Sequence, residues 1–247
     1  MSPLDRHDNI VLQFSGGKDS LACLHLLKPY WNKICVVWMN TGSAYPETVS
    51  HMREIEKIVP HFKEIRSYQE EWIRDNGLPS DLVPTSNTVQ GSILLQTPIL
   101  IQSWFNCCAA NLWVPMENFV KEHGATLVIR GQKVADYRKA PVKSGDVVDG
   151  IEYYFPIEFW TTEEVKNYLS EIGINVPSSY EWADTSLDCW NCTAWLDERE
   201  KELSNLRLKY PDFWKEVRQR LISIEAAVQV EHVRLKKIVQ QDENGTH

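Results

Sequence analysis

Ile10-Val11-Leu12-Gln13-Phe14, followed by Ser15-Gly16-Gly17-Lys18-Asp19-Ser20, decides the reading of this chain. The first five residues form a short apolar run, the pattern of a mostly buried strand. After the loop, Leu21, Leu24, His25, Leu27 and Lys28 recur at helical spacing until Pro29 and Tyr30 close the segment. A strand, a tight glycine turn and a helix start gather backbone N–H groups into a concavity aimed at an anion. Gly16 and Gly17 let the backbone approach a phosphate, Ser15 and Ser20 add hydroxyl donors, and Lys18 adds a point charge. Asp19 has two readings, a Mg²⁺-positioning carboxylate or a helix cap. An ordinary Gly-Gly turn before a helix is the structural alternative for the whole string. The Walker A loop is longer and ends in Gly-Lys-Ser/Thr, and the dinucleotide turn is Gly-x-Gly-x-x-Gly; this string is neither.

Outward from the loop, Ile34-Cys35-Val36-Val37-Trp38-Met39 reads as a second strand that ends in the turn Asn40-Thr41-Gly42. Tyr45-Pro46-Glu47-Thr48 opens a helix to about Ile58, with Val49, Met52, Ile55 and Val59 near one face, and Phe62 to Ile65 is a third strand. This β-α-β-α-β order predicts an α/β fold with a doubly wound parallel sheet and a ligand at the carboxyl ends of its strands. Residues 76–98, punctuated by Gly77, Pro79, Pro84, Gly91 and Pro98, read as a long irregular excursion that covers the site. A helix over 109–123, a strand over 126–129 leading into Arg130-Gly131-Gln132-Lys133, a polar turn over 144–150 and a strand from Ile151 follow. Thr161 caps a helix that runs to Gly173. Residues 197–240 are amphipathic and charged, two helices divided near Tyr210-Pro211; the last residues, from Asp242, should fray. The expected domains are a nucleotide-binding domain over 1–195 and a helical C-terminal extension over 196–247.

With 247 residues and 43% hydrophobic content the chain can bury one substantial core. No apolar run reaches membrane length, and the N-terminus lacks the charged and apolar regions of a signal peptide, so a cytoplasmic location and no membrane partner are expected. A net charge of −8 opposes broad electrostatic binding of nucleic acid. Arg130, Lys133, Arg138, Lys139 and Lys143 form a cationic stretch that reads either as a local basic groove or as a solvated loop.

Six cysteines in a chain of this kind point to metal or redox chemistry rather than a disulfide framework. Cys23 and Cys35 lie in apolar segments and read as core. Cys107-Cys108 is a tandem pair, and Cys189-Trp190-Asn191-Cys192 is a C-x-x-C roughly eighty positions later. Three readings stay open on spacing alone: an iron–sulfur cluster, structural zinc, or a thiol–disulfide pair with bland burial of the rest. Adjacent cysteines are awkward on one zinc ion but reach different irons of a cluster. Trp190 either shields such a site from water or stacks on a base.

The 15–20 string resembles the PP-loop of the ATP pyrophosphatase superfamily, whose members typically hold ATP and cleave it between the α and β phosphates. The tandem Cys-Cys with its later C-x-x-C resembles the [4Fe–4S] signature of assimilatory adenylylsulfate reductases. Further matches follow in family order. Asn40 through Thr48 resembles Asp-Thr-Gly-x-x-Phe-Pro-Glu-Thr, Pro115 follows the Cys-Cys segment, and Pro156-Ile157 with Trp160 through Val165 resembles Pro-Leu-x-x-Trp-Thr-x-x-x-Val. Over residues 9–195 the chain is thus similar to the phosphoadenosine phosphosulfate reductase family. The resemblance implies an adenine nucleotide α-hydrolase-like sheet and a [4Fe–4S] cluster on Cys107, Cys108, Cys189 and Cys192.

Four departures shape the functional expectation. Reductases of this family attack the sulfonucleotide with a cysteine near the C-terminus, and here no cysteine follows Cys192. The loop is complete, whereas in reductases it is usually degenerate, which favours an intact triphosphate. Leu112 replaces a lysine of the adenylylsulfate reductase signature, and Asn40 replaces a common Asp. The leading expectation is therefore an ATP- and Mg²⁺-dependent pyrophosphatase with a cluster, activating an acceptor by adenylyl transfer for sulfur transfer or modification of tRNA or DNA. Lys18 and Asp19 are its candidate catalytic residues. Ser15, Gly16, Gly17, Lys18, Asp19, Ser20, Thr41, Gly42, Gly131, Gln132, Lys133 and Arg138 are its candidate nucleotide contacts. The alternative is a sulfonucleotide reductase that makes sulfite with a thiol from Cys23, Cys35 or a partner; a second is a nucleotide-sensing binding module. The C-terminal helices are a candidate surface for a partner protein or a second copy.

Overall fold

The computed structural model describes residues 2–136 and 140–243, with side chains to residue 240. In chain order the elements are α1 (Pro3–Arg6), β1 (Ile10–Gln13), α2 (Lys18–Leu26), β2 (Ile34–Asn40), α3 (Pro46–Ile58), β3 (Phe62–Arg66), α4 (Gln69–Asn76), β4 (Leu78–Ser80), α5 (Val89–Leu95), β5 (Ile101–Ser103), α6 (Trp104–Cys108), α7 (Val114–Glu122), β6 (Leu127–Ile129), β7 (Val147–Val148), β8 (Ile151–Tyr154), α8 (Thr162–Glu171), α9 (Leu196–Lys209) and α10 (Pro211–Glu243). They group into two compact units. The first comprises Met1–Ser67 and Leu112–Cys189, the second Tyr68–Asn111 and Trp190–His247.

The first unit is built on a six-stranded sheet of order β3-β2-β1-β6-β8-β7, parallel except for the short antiparallel β7. This is the doubly wound α/β arrangement expected from the strand and helix order. The reason is visible in the side-chain phase of the central strands. Ile10 and Leu12 of β1, with Leu127 and Ile129 of β6, face a cluster completed by Leu21 and Leu24 of α2, Met52 and Ile55 of α3, and Val165 and Leu169 of α8. Val11 and Val128, one residue out of phase, face Met116 and Val120 of α7 on the other side. Both faces are covered, so these strands read as continuous apolar runs rather than alternating ones. Truncating a fully buried side chain such as Leu12 belongs to the class that costs about 2–5 kcal/mol. Thr161 caps α8 as expected: its hydroxyl accepts the Glu164 N–H at 3.1 Å while Glu164 Oε2 accepts the Thr161 N–H at 2.6 Å.

The second unit corrects one expectation. Residues 76–98 are not irregular throughout: they contain β4 and α5, and β4 pairs in parallel with β5. Gly and Pro punctuation hid these short elements because each is only three to seven residues long. The helix expected over 109–123 is present, joined to α6 through a π-helical turn over Ala109–Trp113. The two C-terminal helices divide at Tyr210 as expected. They pack within a unit that also holds residues from before the cysteine pair: Thr193 Oγ1 donates to the Pro79 carbonyl at 2.6 Å, and Arg220 pairs with Glu70 at 2.8 Å. Among the described residues no helix is long and apolar enough to cross a membrane.

Candidate functional site

At the carboxyl end of β1 the chain makes the sharp turn that the glycines allow. Gly16 has φ +80, a left-handed conformation that a side chain would strain. A Cβ there would also meet the Met52 side chain at 2.7 Å. Gly17 is the N-cap residue of α2, so the first N–H groups of that helix face the loop. A cavity of about 440 Å³ opens there, lined by Ser15, Gly17, Asp19, Ser20, Thr41, Gly131, Gln132 and Cys189 among others. The strand ends therefore bring most of the sequence-named nucleotide contacts to one place. Gly131 lies so close to α2 that a Cβ would stand 2.7 Å from the Asp19 carbonyl carbon and the Ser20 nitrogen. That approach is what lets the loop after β6 join the cavity.

The charged residues are arranged differently from the sequence expectation. Lys18 Nζ pairs with Asp19 Oδ2 at 3.0 Å, and Lys133 Nζ pairs with Asp19 Oδ1 at 2.7 Å and with Asp136 Oδ1 at 3.0 Å. Burial disfavours the Lys133 ammonium, but the hydrogen bonds and charges of Asp19 and Asp136 outweigh it and raise its pKa. Asp19 is thus the carboxylate that gathers two lysines beside the loop. Its part here is electrostatic, and the capping alternative fails because Gly17, not Asp19, occupies the N-cap position. The serine hydroxyls also turn inward: Ser20 Oγ donates to the Gly17 carbonyl at 2.9 Å and lies 3.3 Å from Ser15 Oγ.

Gly42 turns the chain after β2, where Asn40 Oδ1 accepts the Gly42 N–H at 2.9 Å and Asn40 Nδ2 donates to Glu64 at 2.8 Å. Asn40 is spent on shaping that turn. Thr41 Oγ1 lies 3.2 Å from Cys189 Sγ, so a thiol shares the cavity wall with the loop. Arg138 and Lys139 lie outside the described residues. Lys143 is exposed, Arg130 lines the cavity, and Lys133 is buried against Asp19 and Asp136; the described residues do not present a continuous basic groove.

Sequence reading missed Tyr180. Its hydroxyl accepts the Lys18 N–H at 3.2 Å, and Lys18 Nζ stands 5.0 Å from its ring centroid. Burial pushes the phenol up to about 12; the Lys18 N–H opposes this, and Asp19 and Asp188 add to it. The phenol is a neutral donor and acceptor at physiological pH. Only its place in a 3₁₀ turn over Ser178–Glu181 brings it to the loop, and no local motif marks it.

The cysteines divide between the units, Cys189 in the first and Cys107, Cys108 and Cys192 in the second. Cys107 is 2% exposed, and its sulfur accepts Gln69 Nε2–H at 3.6 Å and Asn111 Nδ2–H at 4.0 Å. Burial pushes its thiol up to about 11; the Gln69 bond opposes the shift, and charge on Cys192 and Glu70 reinforces it. The Cys192 carbonyl accepts a bond from Arg199 Nη1, and Arg199 pairs with Glu202 at 2.6 Å. Among the described residues no group of three or more His, Cys, Asp or Glu side chains is placed to hold a metal ion. Thiolate donors suit an iron–sulfur cluster in kind. Trp190 stacks on Phe213, with centroids 4.1 Å apart and planes 15° from parallel, so within its unit it serves packing. Cys23 and Cys35 are buried and half-buried, and burial raises both thiols, as expected of core cysteines.

A mostly parallel, doubly wound sheet with a glycine loop and a helix N-terminus at the end of its first strand defines the class of α/β protein. Comparison with known proteins places it further. The model of the phosphoadenosine phosphosulfate reductase domain matches residues 9–195, and the chain belongs to that family of enzymes. It is 25% identical over 192 residues to the adenosine 5′-phosphosulfate reductase of Deinococcus radiodurans, covering 77% of this chain and 68% of that one. It is 29% identical over 116 residues to the enzyme of the same name from Mycolicibacterium smegmatis, covering 46% of this chain and 49% of that one. The phosphoadenylyl-sulfate reductase of Candida auris superposes with a TM-score of 0.52 at 16% identity, over 76% of this chain and 84% of that one, which shows the shared fold.

Proposed function

We propose that this chain binds an adenosine nucleotide by its 5′-phosphate end in the 15–20 loop cavity and acts on it as a sulfonucleotide reductase-type enzyme. The observation that carries this reading is the cavity wall itself, where the loop, Thr41, Gly131, Gln132 and the Cys189 thiol meet. The family and the names of the relatives support the substrate class. The Cys189 thiol at the cavity wall supplies a candidate nucleophile.

The Cys189 thiolate attacks the sulfur of a 5′-phosphosulfate; the sulfur–oxygen bond breaks, and its electron pair leaves on the nucleotide phosphate. Helix α2 N–H groups and the Lys18 and Lys133 ammoniums offset the charge that builds there. A second thiol then attacks Cys189 Sγ, releasing sulfite and leaving a disulfide for an external dithiol to reduce. Cys192, two residues beyond Trp190 in C-x-x-C spacing, is the candidate second thiol.

The second reading is cleavage of ATP between its α and β phosphates with Mg²⁺, and transfer of the adenylyl group to an acceptor such as a tRNA or DNA. The complete Ser-Gly-Gly-Lys-Asp-Ser string favours it. The [4Fe–4S] cluster that the family resemblance implies on Cys107, Cys108, Cys189 and Cys192 goes with that reading here, because a Cys189 held by iron could not attack as a thiolate. The 1–195 and 196–247 division is retained as a proposal about which part carries the chemistry, as is pairing of copies through the C-terminal helices.

Anaerobically purified protein should be mixed with adenylyl sulfate, its 3′-phosphorylated form, and ATP with Mg²⁺, while sulfite, AMP, pyrophosphate and bound iron are measured. Sulfite and the desulfonated nucleotide in equal amounts, lost in Cys189→Ser, are expected. Pyrophosphate from ATP without sulfite, in protein carrying four irons per chain, would establish the second reading instead.

A further inference from the structure

Gln69 and Ile73 are the buried residues of α4, one turn apart on a single face of the helix. Ile73 is an ordinary core residue. Gln69 is 3% exposed, a position where an apolar side chain of the same length would pack with no polar atom to satisfy. Instead its Nε2 donates to Cys107 Sγ at 3.6 Å, and its Oε1 is buried with no donor among the described residues. A buried amide oxygen left without a donor is costly. Turned over, the same amide would accept the hydrogen of a thiol; the orientation present offers the sulfur a donor.

Cys107 is the buried residue of α6 and meets a second amide. Asn111 reaches it from the π-helical turn, where Nδ2 donates to the Cys107 carbonyl at 2.9 Å and lies 4.0 Å from Sγ. Two buried amides of the second unit thus present N–H groups to one sulfur away from water. A neutral thiol is a weak acceptor, whereas a thiolate makes a bond of the stronger, charge-assisted kind. These surroundings suit a sulfur that carries negative charge. Binding to iron supplies that charge, because a coordinating thiol gives up its proton.

We infer that Gln69 is a positioning residue for a metal ligand: its amide donates an N–H···S bond to Cys107 as a thiolate ligand of the [4Fe–4S] cluster and so holds the iron more firmly. This rests on the cluster of the second reading above and adds to it a residue that cysteine spacing does not name. Hydrogen bonds of this outer kind fix a ligand and tune its bond to the metal.

The full chain, reconstituted without oxygen from ferrous iron and sulfide, tests it without any turnover. Bound iron, the Fe–S(Cys) stretching bands by resonance Raman in ordinary and heavy water, and the EDTA concentration that strips half the iron are measured. Gln69→Met keeps the length of the side chain and removes the donor. It should move an Fe–S(Cys) band to higher frequency and remove part of the heavy-water shift. The stripping concentration should fall about tenfold to a hundredfold, the range for losing an outer partner of a metal ligand. Gln69→Glu, which puts a carboxylate in place of the donor, should do the same and gives the answer if Gln69→Met fails to fold. Bands and iron retention unchanged by the substitutions would overturn the inference while the cluster stands. Weaker retention with unmoved bands would also overturn it, since a packing defect gives that result. A wild-type chain that takes up no iron would overturn the second reading and the inference together.

Discussion

The loop of the first unit is six consecutive residues, and its neighbours arrive by the rule that strand ends of a parallel sheet meet on one edge. The surroundings of Cys107 and Cys192 in the second unit are assembled from remote segments: Gln69 from α4, Asn111 from the π-helical turn, and Arg199 and Glu202 from α9. One site is shaped by backbone and tolerates no added carbon, as Gly131 shows. The other is shaped by side-chain hydrogen bonds and a buried ion pair. Backbone-shaped sites resist small changes of charge but not of volume, and side-chain networks show the reverse sensitivity.

The strongest way to break that comparison is Arg199→Met. The Arg199 and Glu202 side chains are 8% and 4% exposed, so the variant strands a buried carboxylate and frees the Cys192 carbonyl. A loss of about 3–5 kcal/mol is expected for an ion pair broken on one side. Residue-resolved hydrogen exchange should show it as lost protection in Trp190–His247 and Tyr68–Asn111, with AMP binding by the first unit retained. A loss below about 1 kcal/mol would mean that the second unit does not depend on this network. Gly131→Ala probes the other side and should cost about 1–3 kcal/mol, because the clash is with backbone atoms of α2 that cannot rotate away. Here AMP affinity should fall together with stability; unchanged affinity would show that the loop after β6 does not shape the cavity.

The smallest expected effect is on pH dependence. Burial would raise the Glu64 pKa, but bonds from Arg53, Asn40 and Arg66 outweigh it, and the folded-state value is lowered from 4.5. A lowered acid stabilises the fold above its unfolded value, and that stability disappears as pH falls through the folded value. Urea midpoints should therefore hold from pH 7 to about 5 and decline below, by less than about 1 kcal/mol for this group because its arginines are solvated. Glu64→Gln should flatten that decline, and an unchanged profile would remove Glu64 from the account.

Much of the first unit was legible in advance. Apolar runs 10–14 and 34–39, the Pro46 helix start and the Thr161 cap are local signals, and each element formed where its signal stood. The short β4, α5 and β5 were not legible, because three to seven residues leave no period to count and their stability comes from neighbours. Tyr180 was invisible for the same reason, since it joins the loop across 162 positions of chain. Asp19 is a candidate in the sequence, but its pairing with both Lys18 and Lys133 required two strand ends to be brought together.

The sequence by itself determined the doubly wound sheet, the glycine loop at the end of β1 and the family, because these depend on contiguous patterns whose physics is local: apolar phase, glycine torsions and helix termini. The tertiary structure alone decided which charges are answered and which are not. Coulomb energy and desolvation depend on distance and burial rather than on position in the chain. Two lysines settle on one aspartate, Cys189 comes to the cavity wall, and Arg130 lines the cavity with its Nε buried and without a hydrogen-bond partner among the described residues.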